Sequence, residues 1–203
     1  MSTTIYLLPI ERAREKDEAY YARYFPQRLE TAKRFLHEED RLRCLGGSLL
    51  LREVLGLDEA QITILRGGKP EAGAVGVNFN LSHSGAYTVL AVSDRSVGVD
   101  IELCSLRHIS VAKAVYTEAE IQWMNENQEE RFTLLWTAKE AVSKALGLGL
   151  GLKFTDFEVL GLLRGECLQL RGEELYGRAL PCPGYSLSVC TLGDSGEIGI
   201  EYL

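Results

Sequence analysis

The sequence predicts an α+β fold in which sheets carry helices on one side, and three observations point there. Helix-type apolar periodicity runs through residues 27–55 and again through 129–146. Strict apolar/polar alternation marks residues 97–102 as a strand. These segments are mixed without the regular strand–helix alternation that a parallel, doubly wound sheet requires.

Taken in order, the first strand is expected over residues 4–8, closed by Pro9. Residues 27–55 then read as largely helical. Leu29, Ala32, Phe35 and Leu36 supply the first apolar stripe, and Leu45, Leu49, Leu50 and Val54 continue it to a stop at Gly56. Gly46-Gly47 weakens the middle of this second helix. Three strands follow. Val77, Phe79 and Leu81 alternate with polar or small residues, residues 87–92 are β-rich and apolar, and residues 97–102 alternate strictly. Thr117 with Glu120 makes a capping box for a short helix over 118–126. A longer helix runs over 129–146 and ends at Gly147. The tail suggests strands near 158–162, 167–170, 185–189 and 198–202. No low-complexity tract, repeat period or Pro/Ser-rich linker divides the chain, and its two 100-residue halves show no visible similarity.

Composition narrows the function classes. The 203 residues suffice for one domain, or two small ones, with a real core. The longest apolar candidate, Val89 to Val92, is far too short to cross a bilayer. The N-terminus lacks the basic start and apolar run of a secretory signal, so no membrane association and a cytoplasmic location are expected. Five cysteines at 44, 104, 167, 182 and 190 show no Cys-x-x-Cys spacing and suit a reducing compartment. Three histidines are too few for a His-rich metal site. Residues 1–100 carry 13 Lys+Arg against 14 Asp+Glu, whereas residues 101–203 carry 9 against 15. That acidic balance disfavours nucleic-acid binding, which needs many phosphate-neutralising cations. A small anionic ligand held by local cations remains compatible, mainly through the first half.

Four motifs carry chemistry. In Val97-Gly98-Val99-Asp100-Ile101-Glu102, a side-chain period of two sends the apolar residues one way and Asp100 and Glu102 the other. Their Cα atoms stand about 7 Å apart, so both carboxylates can converge on one cation. Oxygen ligands without nearby His or Cys favour Mg²⁺. The plainer reading is an edge strand with a solvated acidic face. On the long helix Phe132, Trp136, Glu140 and Lys144 recur every four residues and form one stripe. An aromatic stripe points inward, where a charge is costly unless compensated. Glu140 is therefore expected as a third metal ligand and Lys144 as a phosphate contact, against the alternative of a surface ion pair.

Gly67-Gly68-Lys69-Pro70 joins a backbone that can approach a ligand closely, a cation and a rigid exit; otherwise it is an ordinary turn. Asn80-Leu81-Ser82-His83-Ser84-Gly85 places hydroxyls and an imidazole after a strand. A nucleophilic Ser–His pair is disfavoured because adjacent residues face opposite ways and no Gly-x-Ser-x-Gly elbow is present. Phosphate or ribose binding by Ser82 and His83 fits better, with a structural histidine as the alternative. Gly147-Leu148-Gly149-Leu150-Gly151 closes a helix instead of opening one, so it is no dinucleotide fingerprint.

In this order the motifs resemble the 4'-phosphopantetheinyl transferases of the larger, surfactin-synthetase-activating type. The resemblance rests on Gly68-Lys69-Pro70, the run from Phe79 to Gly85, Val97 to Glu102, and Trp136-Thr137-Ala138-Lys139-Glu140-Ala141 with Lys144. Arg34 to Asp40 followed by Arg43 is similar to the family's N-terminal helix region. The match covers roughly Arg28 to Phe157. It implies two pseudo-twofold α+β halves, taken as residues 1–100 at the nucleotide end and 101–203 at the pyrophosphate and carrier side, with coenzyme A in the cleft between them. It implies Asp100, Glu102 and Glu140 as Mg²⁺ ligands and Lys144 as the pyrophosphate contact. Arg43, Lys69, Ser82 and His83 match positions that hold the nucleotide end with its 3'-phosphate, and Gly68 and Pro70 flank Lys69. Arg28 falls where relatives carry another cation, whereas Thr31 replaces a second lysine of some relatives. Trp136 and Ala141 indicate the Trp/Lys-Glu-Ala branch, which tends to serve lipid or polyketide carriers.

The activity so implied is Mg²⁺-dependent transfer of 4'-phosphopantetheine from coenzyme A to a serine of an acyl or peptidyl carrier protein, with 3',5'-ADP released. Fatty acid, polyketide or nonribosomal peptide synthesis would be its setting, and a monomer its state. Glu140 is the candidate base, with Lys144 and His83 offsetting phosphate charge. The carrier would dock near Val111 to Tyr116 by family analogy. Two rivals are a non-catalytic coenzyme A or nucleotide-binding module and a different Mg²⁺-dependent phosphotransferase. The intact carboxylate set with Lys144 counts against the first, and the absence of a P-loop or kinase signature against the second.

Overall fold

The computed structural model describes residues 2–65, 68–73, 76–107, 109–194 and 196–203. Gly67 of the Gly-Gly-Lys-Pro motif lies outside the described residues. In chain order the elements are β1 (Ser2–Pro9), α1 (Glu18–Tyr24), α2 (Pro26–Lys33), α3 (Glu38–Leu55), β2 (Thr63–Ile64), β3 (Pro70–Glu71), β4 (Asn78–Ser84), β5 (Tyr87–Ser93) and β6 (Val97–Leu103). There follow α4 (Ala112–Val115), α5 (Glu118–Met124), α6 (Gln128–Leu146), α7 (Leu160–Leu163), β7 (Leu168–Leu170), β8 (Glu173–Leu180), β9 (Tyr185–Leu192) and β10 (Glu197–Tyr202).

Two four-stranded sheets form the body, ordered β10-β1-β5-β4 and β6-β9-β8-β7, with β2 and β3 as a separate ribbon. Both sheets repeat one plan. A strand leads to a long helix, then to a hairpin whose second strand returns antiparallel beside the first: β1–α3–β4–β5 and β6–α6–β8–β9. This is the two-half α+β arrangement expected. A boundary between residues 100 and 101 would cut through β6, and β10 crosses back to pair parallel with β1 of the first sheet.

Period-two burial sorts the strands into layers. Ile5, Leu7, Val89 and Ala91 of the first sheet meet Val97, Val99, Ile101, Leu187 and Val189 of the second in one apolar cluster between the sheets. The opposite face of the first sheet (Leu8, Phe79, Leu90) packs on Leu49 and Leu50 of α3. The opposite face of the second takes α6 through Leu135, Ala138, Ala141, Val142 and Ala145. The order is therefore helix, sheet, sheet, helix, each sheet carrying its long helix on one side.

Two glycine positions set how closely the helices approach. In α3, which runs unbroken through Gly46-Gly47, a Cβ on Gly46 would come within 2.8 Å of Thr88 Oγ1. On β6, a Cβ at Gly98 would lie 2.9 Å from Lys144 C and nearer still to Ala141 O and Ala145 N. The backbone of α6 thus rests directly on β6. Both long helices end on a left-handed glycine, Gly56 (φ 68°) and Gly147 (φ 68°).

Three departures have physical reasons. The strand expected near 158–162 is instead the helical turn α7, because an apolar run of that length fits either state until packing decides. Leu162 of α7 lies against β8, whose Gly177 leaves room for its side chain. The strand β8 was not anticipated, since its exposed Glu173-Glu174 start and internal Gly177 hide the alternation. Nor was α1, capped by the Asp17 side chain on Tyr20 N. No helix among the described residues is long and apolar enough to cross a membrane.

Candidate functional site

The site forms where β4 of the first sheet lies alongside β6, the edge strand of the second. An edge strand leaves a row of unpaired amides, and here β4 covers them with side chains. Asn80 Oδ1 accepts from Val99 N (2.9 Å), Ser82 Oγ from Ile101 N (3.4 Å) and Ser84 Oγ from Leu103 N (3.1 Å). Both strands alternate with period two, so every second side chain of β4 meets every second amide of β6.

The same serines donate to the acids. Ser82 Oγ donates to Asp100 Oδ1 (2.7 Å) and Ser84 Oγ to Glu102 Oε2 (2.7 Å). Asp100 is 4% exposed, so the solvated-face reading fails for it. From α6, Lys144 Nζ donates to Asp100 Oδ1 (2.6 Å), Val99 O (3.2 Å) and Ser82 Oγ (3.3 Å). Asp100 Oδ2, by contrast, is buried with no hydrogen-bond partner. Glu140 stands on α6 one turn before Lys144. Burial pushes its carboxyl above the usual range, the charges of Asp100 and Glu102 add to that, and Lys144 partly opposes it.

Two cavities flank this cluster and share Trp136 as a wall. One, of about 570 Å³, is lined by Gly68, Lys69, Pro70, Glu140 and Lys144, with Phe154 among its apolar walls. The other, of about 710 Å³, is lined by Arg43, His83, Ser84, Glu102, Arg107 and Phe132 among others. Both halves of the chain contribute to each cavity.

Arg43 holds the turn that carries His83, donating through Nη1 to Gly85 O (2.7 Å) while Nη2 pairs with Asp40 (2.6 Å). Although His83 is exposed as a residue, burial around its imidazole holds it below the ordinary value of 6.5, and the Arg43 charge adds to this. Lys144 and Arg28 contribute in the same direction, so Arg28 lies within electrostatic reach of His83. The guanidinium-bearing Arg28 is exposed at the start of α2, whose first amides, Gln27 N and Arg28 N, are held by Glu59. Lys69 is tied inward, donating to Ser96 Oγ (3.0 Å) and Val97 O (2.9 Å), and burial lowers its pKa.

Of the residues expected from sequence, Asp100, Glu102, Glu140, Lys144 and Ser82 come together at one place, with Lys69 on one side and Arg43 and His83 on the other. Ser82 turns to the Asp100 carboxylate and to Lys144 and is itself buried. Of the Val111 to Tyr116 stretch, Ala112 and Tyr116 are interior, with Tyr116 Oη donating to Phe132 O (2.8 Å). Its accessible residues include Val111, Lys113 and Ala114.

Sequence reasoning missed the support beneath α6. Lys139, neighbour of Glu140, is fully buried and pairs with Glu120 (2.9 Å) while donating to Phe154 O and Phe157 O (2.7 Å each). Glu120 meanwhile completes the capping box at Thr117 N and accepts from Val159 N. The capping-box signature pointed to Glu120, but nothing local says that its carboxylate also holds a lysine.

Among the described residues, no group of three His, Cys, Asp or Glu side chains is drawn together tightly enough to hold a metal ion as it stands. The donor set nevertheless fits a cation. A buried carboxylate oxygen without a partner, and a second carboxyl raised by two neighbouring acids, are what an added positive charge would relieve.

Residues 96–190 match the model of the 4'-phosphopantetheinyl transferase superfamily. The chain is 30% identical over 197 residues to 4'-phosphopantetheinyl transferase Sfp of Bacillus subtilis (strain 168), covering 88% of this chain and 86% of that one. It is 35% identical over 144 residues to another B. subtilis 4'-phosphopantetheinyl transferase, covering 66% and 64%. Against the L-aminoadipate-semialdehyde dehydrogenase-phosphopantetheinyl transferase of Xenopus laevis it is 33% identical over 162 residues, covering 66% and 53%.

Proposed function

Because the chain belongs to the 4'-phosphopantetheinyl transferase family, we propose that it transfers 4'-phosphopantetheine from coenzyme A to a serine of an acyl or peptidyl carrier protein, with Mg²⁺, releasing 3',5'-ADP. The observation that carries the site assignment is the partnerless buried Asp100 Oδ2 beside Lys144 and Glu140. Asp100, Glu102 and Glu140 would hold the ion. When bound, Mg²⁺ supplies positive charge against the diphosphate of coenzyme A, where phosphoryl transfer needs it most.

The remaining work falls to the chain's own side chains. Lys144 is oriented by Asp100, Ser82 and Val99 O, which together take its three donors, so its ammonium is already fixed and meets a phosphate oxygen by exchanging one of them, the longest being Ser82 Oγ at 3.3 Å. Glu140, which lines the cavity beside Lys144 and Trp136, takes the proton from the carrier serine as its oxygen bonds to phosphorus and the bond to 3',5'-ADP breaks. Arg43 and His83, with Arg28 in electrostatic reach of His83, offer the nucleotide end its cations and donors from one cavity, while Lys69, in the turn shaped by Gly68 and Pro70, faces the same ligand from the other. The first sheet with its helices then serves the nucleotide end, and the second, whose strand β6 carries both Asp100 and Glu102, the diphosphate and carrier. The five cysteines are all free, which fits a reducing cytoplasm, and both halves in one chain fit a monomer.

The deciding experiment incubates the protein with coenzyme A, Mg²⁺ and an apo carrier protein and reads the carrier's mass. A gain of one phosphopantetheine arm, lost on chelation with EDTA, is expected. An unmodified carrier, with coenzyme A still bound to the protein, would instead make the chain a non-catalytic coenzyme A-binding module.

A further inference from the structure

Unlike Arg43 and Lys69, Arg28 is exposed, so the backbone beneath it decides where its charge stands. That backbone starts α2, which at eight residues is too short to hold itself as a helix in water. Its first turn has few free amides. Pro26 has no N–H, Leu29 N already donates to Phe25 O (2.9 Å), and Gln27 N and Arg28 N are left. Phe25, at the N-cap position, offers no side-chain acceptor. One carboxylate from 31 and 32 residues away takes both: Glu59 Oε2 accepts from Gln27 N (2.7 Å) and Oε1 from Arg28 N (2.9 Å).

Glu59 is itself held. It opens the helical turn Glu59–Gln61, which a capping box between Asp58 and Gln61 closes. Asp58 pairs with Arg52 of α3, whose guanidinium lies over the Tyr24 ring of α1, 4.2 Å from its centroid. Helix α3 reaches the Arg28 peptide from its other side as well, since Cys44 Sγ donates to Arg28 O (3.8 Å). The residue before it, Arg43, donates to Gly85 O in the turn that carries His83. Arg28 and the His83 turn are therefore fixed against one frame, α3, and the charge of Arg28 bears on the imidazole. With both amides taken by a carboxylate, the start of α2 has no backbone donor left for a phosphate. What it can offer an anion is the guanidinium.

We propose that Glu59 is a positioning residue for coenzyme A: by capping α2 it places the Arg28 guanidinium, with His83, for the 3'-phosphate of the nucleotide. The inference rests on the proposed nucleotide-end role of Arg28 and adds to it the group that sets that residue in place. A pure charge effect would have the opposite sign. A carboxylate near a phosphate repels it, so losing Glu59 strengthens binding through charge alone and weakens it through lost position.

The test is calorimetric titration of the full chain with coenzyme A and with 3'-dephospho-coenzyme A, which lacks only the 3'-phosphate, with no turnover required. Glu59→Ala is expected to weaken coenzyme A binding about fivefold, the loss typical of a helix cap, and to leave binding of the dephospho form unchanged. Glu59→Gln keeps one acceptor oxygen and should fall between Glu59→Ala and the parent, and it stands in should Glu59→Ala not fold. Arg28→Ala should weaken coenzyme A binding alone, and adding Glu59→Ala to it should cost nothing further, because the cap acts through Arg28. Unchanged or tighter coenzyme A binding in either Glu59 variant, equal weakening towards both ligands, or additive losses in the double variant overturns the proposal. If Arg28→Ala binds both ligands like the parent, the role of Arg28 beneath the proposal is overturned instead, a result distinct from any of these.

Discussion

Replacing Gly98 with alanine puts a methyl group where α6 lies on β6. The new Cβ would sit 2.9 Å from Lys144 C, about 0.5 Å inside the 3.4 Å of ordinary contact, and closer still to Ala141 O and Ala145 N. All three are backbone atoms, so no side-chain rotation relieves the overlap and the helix itself has to withdraw. Overpacking of well-filled interiors costs about 1–3 kcal/mol, and a main-chain clash belongs at the upper end. The gain from replacing a strand glycine, about 0.5–1 kcal/mol, offsets only part of it. A net loss of about 2 kcal/mol corresponds to roughly 4–8 °C in melting temperature for a chain of this size. Withdrawal also carries Lys144 from Asp100 Oδ1, now 2.6 Å away, and Glu140 with it. Carrier loading followed by mass spectrometry should therefore fall far more than stability does. Gly47→Ala is the control: its Cβ would meet only Leu81 Cδ1 at 3.8 Å and Thr88 Cγ2 at 3.9 Å, so a helical alanine should stabilise by about 0.5–1 kcal/mol with transfer intact. A Gly98→Ala protein that melts and transfers like the parent would refute the claim that backbone contact at this glycine sets the site.

Further outcomes follow from the same geometry. Lys139→Met strands the buried Glu120 charge and two carbonyls, and urea unfolding should show a loss of about 3–5 kcal/mol; a loss under about 1 kcal/mol would contradict the pairing. Asp100→Ala should abolish carrier loading while circular dichroism stays that of the parent, and near-normal turnover would remove Asp100 from the site. His83 should titrate below 6.5 in the free protein by NMR, because burial and Arg43 disfavour imidazolium. With the folded value below the unfolded one, the unfolded chain binds more protons between the two, so this group makes stability rise with pH across that window. Adding 3',5'-ADP should raise the His83 value, and no movement would detach it from the nucleotide end.

Most of the site's membership could be read along the chain because it depends on short periods. Asp100 and Glu102 fall on one face by the two-residue repeat of a strand, and Glu140 and Lys144 on one stripe by the repeat of a helix. Element ends that rest on local chemistry were equally legible, as at the Thr117–Glu120 capping box, Gly56 and Gly147. Where two states satisfy the same local pattern, as in α7, the sequence left the matter to packing.

Partnership was not legible, because a hydrogen bond depends on which strands lie side by side. That Ser82 and Ser84 reach Asp100 and Glu102 follows from β4 covering the free edge of β6, a juxtaposition across two sheets. That Lys139 buries itself on Glu120 follows from α5 and α6 closing over Phe154 and Phe157. Residue order along the chain thus determined the kinds of groups present and the faces they occupy, since torsional geometry repeats over a few residues. Only tertiary structure decided which oxygen is paired and which is left without a partner, since that requires groups well separated in the chain, 18 positions for Ser82 and Asp100 and 44 for Asp100 and Lys144, to meet within hydrogen-bond distance.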